Sequence, residues 1–322
     1  MEFRNLTPFP ALYYVMRDKD DRENFVVVMK TTYRLTENGT ARFWAELIDD
    51  EADMALLCFQ DEYRHDMHHS MVIQESDMSP FKPRCDIIIN GTAHALGNQP
   101  VDSLPVSVTL LSPENQPLMN KKLVVTGERA FRRTDKKTWE LTLPQPFTSL
   151  PVVWIYAFGG ECRINGQDKG NDAVPEYCLL SQEARSVHPD RNNPPLAHSV
   201  YPANPIGRGY ITPWYLTATQ ADSFPAPRIE QPDNPFTAEA FQALVNGHSN
   251  VPADVYRPAG LGITGRSWQP RLARAGTYDH SWLTQRHPYL PQDFEFSYWN
   301  AAPEDQQIAA LPPGCRFILS GL

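Results

Sequence analysis

Proline governs what this chain can build: 30 of its 322 residues are proline, against 17 glycines. Each proline removes a backbone donor and fixes φ, so helix interiors and central strands exclude it. Prolines recur along the whole chain, and long helices are therefore not expected. Two stretches carry the apolar spacing and end signals of short ones. The first is "DNPFTAEAFQALVNG", with Asp233 or Thr237 as cap and Gly247 as stop; the second is "EYCLLSQEARSV" near residue 176.

The rest favours strands and ordered loops. "NFVVVMKTTYRL" from residue 24 is a β-branched and aromatic run, followed by "TENGTARF", in which Asn38 and Gly39 tolerate the positive φ of a hairpin turn. Further runs follow at 86–96, 106–112, 121–133, 138–144 and 150–160, and "CRFILS" supplies a last strand. Pro, Gly and Asn punctuate them at the spacing of an antiparallel sandwich or barrel. Between residues 160 and 260, stretches such as "SFPAPRIEQPDNPF" are too rich in proline for regular elements and too rich in aromatics for a loose linker. The fold class expected is mainly β: an antiparallel β-sandwich or barrel-like core with long ordered proline-rich loops and a few short helices. A β-rich part over 1–160 and a loop-rich part over 161–322, packed on it, are expected to form one unit.

Composition narrows the partners. With 41% apolar residues the chain can fill a core, and a net charge of −9 lacks the basic field that nucleic acid or an anionic membrane requires. No stretch approaches the length of a membrane span, and "MEFRNLTPFPALYYVMRDKDD" has no basic n-region, which argues against a secretory signal. The five cysteines are scattered without C-x-x-C spacing, as in a reducing compartment. A cytoplasmic location is the expectation, with no nucleic-acid partner and no membrane insertion.

Three patterns invite chemistry. "GLGITG" at 260–265 matches the dinucleotide fingerprint, but no buried strand precedes it and Pro270 stands where the accepting helix would run. Its glycines are expected to make a tight turn. "YRHDMHH" gathers His65, His68 and His69 with Asp61, Glu62 and Asp66, yet it lacks fixed helical ligand spacing, so a solvated polar segment is expected and no metal is assigned. "AGTYDHSWLTQRHPYLPQDFEFSYWNAAPEDQQ" at 275–307 sets Asp279, Asp293, Glu295, Glu304 and Asp305 among aromatics. Paired carboxylates beside aromatic rings suit a glycan-cleaving cleft. Aspartates beside Pro, Gly and Thr also accept backbone amides in irregular loops, which is the favoured reading of Asp279, Asp293 and Asp305. No catalytic residue, cofactor or metal site is assigned.

Six motifs occur in order: "SPFKPRCDIIINGTAHA" (79–95), "LVVTGERAFRR" followed by Trp139, "SLPVVWIYAFGG" (149–160), "NPIGRGY" (204–210), "RIEQPDNP" (228–235) and "PAGLGITGRSWQPRLARAGTYDHSWLTQRHPYLPQDFEFSYWNAAPEDQQ" (258–307). Through them the chain resembles the bacterial family called domain of unknown function 2169, associated with type VI secretion. The resemblance implies an adaptor or chaperone that binds a PAAR-like effector or spike-tip protein and aids its stability and loading. It brings no catalytic residues with it. Arg266, Trp268, Arg271, Thr277, Tyr278, Asp279, Trp282, Asp293, Asn300 and Asp305 are the expected scaffold or partner-binding residues of the last motif. Trp268, Trp282 and Trp299 are expected to be buried, with the charged and amide side chains satisfying backbone that proline leaves unpaired. A glycan hydrolase using the carboxylates of 279–305 is the alternative.

Overall fold

The computed structural model describes residues 2–37, 43–65, 70–135, 138–163, 198–247 and 256–322. The strands in the first half are β1 (Ala11–Arg17), β2 (Glu23–Met29), β3 (Tyr33–Glu37), β4 (Phe43–Leu47), β5 (Glu62–Tyr63), β6 (Val72–Gln74), β7 (Cys85–Asp86), β8 (Thr92–His94), β9 (Ser103–Leu111), β10 (Pro117–Thr126), β11 (Ala130–Arg133), β12 (Trp139–Leu141), β13 (Ser149–Pro151) and β14 (Phe158–Gly159). Then come β15 (Glu161–Arg163), β16 (His198–Val200), β17 (Arg208–Gly209), α1 (Pro213–Thr219), β18 (Ser223–Pro225), β19 (Ile229–Glu230), α2 (Ala238–Val245), α3 (His280–Gln285), β20 (Gln307–Ile308) and β21 (Arg316–Ser320). The protein is mainly β, as expected, but it is built from small sheets, and among the described residues none closes into a barrel.

The largest sheet has four antiparallel strands in the order β19, β10, β9, β21, so it draws on both halves of the chain. Val106, Val108 and Leu110 of β9 and Leu123 and Val125 of β10 point inward and form the main core with Leu150, Val152, Ile229, Leu261 and Ile308. A second core lies around β11, β12 and β18. There Phe131, Trp139, Phe224, Phe236 and Phe241 pack together, with Phe131 stacked on Phe241 at 4.2 Å between ring centroids. α2 supplies Phe241, Leu244 and Val245, and Thr237 caps it by accepting the Ala240 amide at 3.3 Å. Gly247 follows at φ +69°, a conformation in which any side chain would be strained.

Several expectations need redrawing. The run from residue 24 is two strands, broken at 30–32, and they belong to separate hairpins, β1–β2 and β3–β4. The expected turn at Asn38–Gly39, the helix near 176, and His68, His69 and Asp66 lie outside the described residues. α1 and α3 were not anticipated, because seven and six residues are too few to set up a periodic apolar stripe. Among the described residues no helix is long and apolar enough to cross a membrane, and no cluster of three or more His, Cys, Asp or Glu could hold a metal ion.

Candidate functional site

The acids of the aromatic window are engaged one by one. Asp279 caps α3, taking the Trp282 amide on Oδ1 at 2.8 Å. Asp293 accepts the Thr277 amide at 3.0 Å and the Thr277 hydroxyl at 2.7 Å, and these two bonds hold its carboxyl below the usual range. Gly276 turns the chain just before Thr277 at φ +77°, with Asp293 Oδ1 3.0 Å from where a Cβ would stand. Tyr278 meets Trp282 edge to face at 4.7 Å, and the Trp282 indole donates to the Tyr289 carbonyl. Glu304 pairs with Arg274, and the Ser297 hydroxyl donates to Glu295. Asp305 differs from the loop-bonding expectation: among the described residues it accepts no backbone amide and pairs instead with Lys121, which stands on the inward face of β10. Trp268 is buried as expected, whereas Trp282 and Trp299 are half-buried.

Arg271 and Asn300 anchor the window to the first half of the chain. Buried Arg271 grips Glu75 with both Nη atoms, Nη2 to Oε2 at 2.9 Å, while its Nε donates to the Tyr298 carbonyl at 2.7 Å. Arg266 lies beside the same Glu75, reaches Asp61 at 3.2 Å and spreads over the Trp299 ring. Asn300 donates to the Arg84 carbonyl and to Asp86, and Asp86 in turn receives the Ala301 and Ala302 amides. Ionised carboxylates with several such donors are strongly held, and a guanidinium fork matches them two bonds at a time. The seam fixes loops that have no ladder of their own. The roles of its carboxylates Glu75, Asp61 and Asp86 escaped sequence reasoning, although Asp61 stood beside the noted histidines and Asp86 in one of the six motifs.

The glycines of "GLGITG" make no dinucleotide loop; the backbone bends at Leu261 and Gly262, and the Gly265 carbonyl accepts the Trp268 amide at 3.0 Å, closing a turn as expected. Ala259, Leu261 and Ile263 are buried, and the Leu261 carbonyl takes the Ile89 amide and the Gln306 side chain. A Cβ on Gly260 would stand 2.9 Å from the Trp154 indole, and one on Gly265 would stand 2.8 Å from that of Trp268. The two indoles meet edge to face at 5.9 Å. The glycines are there so that the backbone can lie against tryptophan, a close approach that no turn signal announces.

The most unusual surface is N-terminal. Alternate residues of a strand share a face, so Tyr13 and Val15 of β1 stand with Phe25, Val27 and Met29 of β2. The opposite face of this hairpin is covered: Val26 is buried and the Tyr14 hydroxyl donates to the Met78 carbonyl. In the second hairpin Tyr33, Leu35, Phe43 and Leu47 share a face. All nine side chains are between 42% and 66% exposed. Beside β2, a cleft of about 500 Å³ runs along Ile73–Asp77 towards Lys82 and Ile263.

These features define a mainly β scaffold in which an ionic seam pins an aromatic loop region to a body that displays apolar hairpins. The chain belongs to the family described as "Uncharacterized protein conserved in bacteria (DUF2169)", whose model matches residues 20–322. No curated protein and no solved structure matches it.

Proposed function

We propose that this protein is a type VI secretion accessory adaptor or chaperone that binds a PAAR-like effector or spike-tip protein in the cytoplasm and aids its stability and loading. The observation that carries the reading is the apolar face of the two N-terminal hairpins. Each hairpin sets four or five exposed apolar side chains on one face, a feature of protein interaction sites, and among the described residues each strand of these two-stranded sheets keeps one edge unpaired by another strand. The ionic seam supports the same reading, since a rigid body loses little conformational entropy on binding. Against the hydrolase alternative stands the engagement of Asp279, Asp293 and Asp305 in capping, loop bonding and a buried ion pair.

The test is co-expression with a cognate PAAR-like protein, followed by gel filtration. A specific complex buries roughly 800 Å² on each side, and the expected result is a stable complex with a higher soluble yield of the partner. Val27→Glu with Leu35→Glu should abolish the complex while shifting the melting temperature by no more than surface substitutions do, within about 0.5 kcal/mol. A complex that survives both substitutions would remove the hairpins from the interface, and no complex with the native chain would sink the adaptor reading.

A further inference from the structure

Three motifs that the seam does not use converge on one ring. Tyr156 comes from "SLPVVWIYAFGG", Arg208 from "NPIGRGY" and Arg228 from "RIEQPDNP". The guanidinium carbons lie 4.7 Å (Arg208) and 4.9 Å (Arg228) from the centroid of the Tyr156 ring. The backbone holds both arginines there: the Arg208 amide donates to the Ala157 carbonyl at 3.0 Å, and the Arg228 amide to the Tyr156 carbonyl at 2.7 Å. Each Nε is also used, on the Ile155 carbonyl at 3.0 Å and the Thr126 carbonyl at 3.2 Å.

The Nη atoms have no hydrogen-bond partner among the described residues. Among the described residues neither guanidinium has a carboxylate oxygen within 4.0 Å, while Arg129 has Glu230 and Arg271 has Glu75. Glu128 is the acid that attracts both from farther away, and it is exposed. Both arginines are partly withdrawn from water, which disfavours their charged forms, and Arg228 adds like-charge repulsion to Arg208. In a chain of net charge −9, two half-buried cations fixed at one ring, with only the exposed Glu128 attracting them from a distance among the described residues, are out of keeping with the rest. Stacking on tyrosine explains how one guanidinium is supported. It does not explain a second charge, or Nη donors left unused.

We infer that Arg208, Arg228 and Tyr156 form an oxyanion site that takes a carboxylate or phosphate group through the free Nη atoms. Paired N–H donors in a planar fork match such groups, and the tethered Nε atoms and backbone fix the fork before the anion arrives. The anion is either a small ion in solution or an acidic side chain of a partner. The site is independent of the hairpin face: a complex can form there while this site stays empty, and the reverse.

The experiment is a titration of the full chain, followed by the arginine Nε–H signals in proton–nitrogen spectra at constant ionic strength. The probes are inorganic phosphate and a capped tri-glutamate peptide, with sodium chloride as control. The expected result is a saturable shift of the Arg208 and Arg228 signals with a Kd in about the millimolar range or tighter. Arg208→Lys and Arg228→Lys keep the charge but lose the fork, and each should weaken binding about tenfold. A response to phosphate alone assigns the site to a free ion, and a tighter response to the peptide assigns it to a partner's carboxylate. If neither probe saturates the native chain by about 50 mM, the inference is overturned. That outcome is read on the unsubstituted protein, so it stands even if the lysine variants fail to fold.

Discussion

Replacing Asp305 with asparagine takes away the anion facing a buried cation. Lys121 sits on the inward side of β10 between Met119 and Leu123, opposite Val108 of β9, and is 5% exposed. Burial pushes its ammonium pKa down, and the charge and hydrogen bond of Asp305 push it back up. Removing one partner of a buried pair costs about 3–5 kcal/mol, because the remaining charge is left uncompensated. Asp305 has 51% of its side chain exposed, so water reaches that end of the pair and the cost falls to about 2–3 kcal/mol. For a chain of this size that lowers the melting temperature by about 3–4 °C. Lys121→Met should behave differently. It leaves Asp305 solvated and puts an apolar stem of similar volume in the core, for a change within about 1 kcal/mol.

The pH dependence follows from the direction of the shift. The folded Lys121 pKa lies below its ordinary value of 10.5, and Asp305→Asn lowers it further. The unfolded chain therefore binds more protons between the folded pKa and 10.5, and stability recovers as pH rises through that window. The Asp305→Asn deficit should be largest at neutral pH and shrink towards alkaline pH. Denaturant melts of both variants from neutral to alkaline pH measure this. Equal costs for the two substitutions, or a deficit that grows with pH, would refute the reasoning.

Glu75→Gln leaves Arg271 buried without its carboxylate and should cost about 3–5 kcal/mol by urea denaturation; a loss under 1 kcal/mol would mean that the seam does not hold the window. Gly265→Ala places a methyl 2.8 Å from the Trp268 indole and should cost about 1–3 kcal/mol. Millimolar ATP or NAD should leave the melting temperature of the native chain unchanged, and a rise would restore the nucleotide reading of "GLGITG". Asp279→Asn should retain the cap of α3, whereas Asp279→Ala should cost about 1 kcal/mol and speed hydrogen exchange at the Trp282 amide. Faster exchange in the asparagine variant as well would show that the carboxylate charge, and not the cap bond, holds the helix.

Local rules made the first layer of this protein legible. Proline excluded long helices, β-branched runs marked most strands, and Thr237 with Gly247 bracketed α2, because each signal acts over a few neighbouring residues. Short-range bonding likewise explains why the role of Asp279 could be read from its neighbours, whereas Asp293 bonds Thr277 sixteen positions away. What tertiary structure alone decided was pairing at a distance. Glu75 is 196 positions from Arg271, and Asp86 is 214 from Asn300; nothing in a local window marks one carboxylate for one guanidinium. Lys121 looked like an ordinary strand lysine until β10 turned its face inward, and Asp305 looked like a loop aspartate until β10 brought Lys121 beside it. The turn at the end of "GLGITG" was legible from its glycines, but the close approach of the distant Trp154 indole to Gly260 was not. Strand faces, close backbone approaches and ion pairs depend on which elements meet, and that is settled by packing the whole chain, not by any stretch of it.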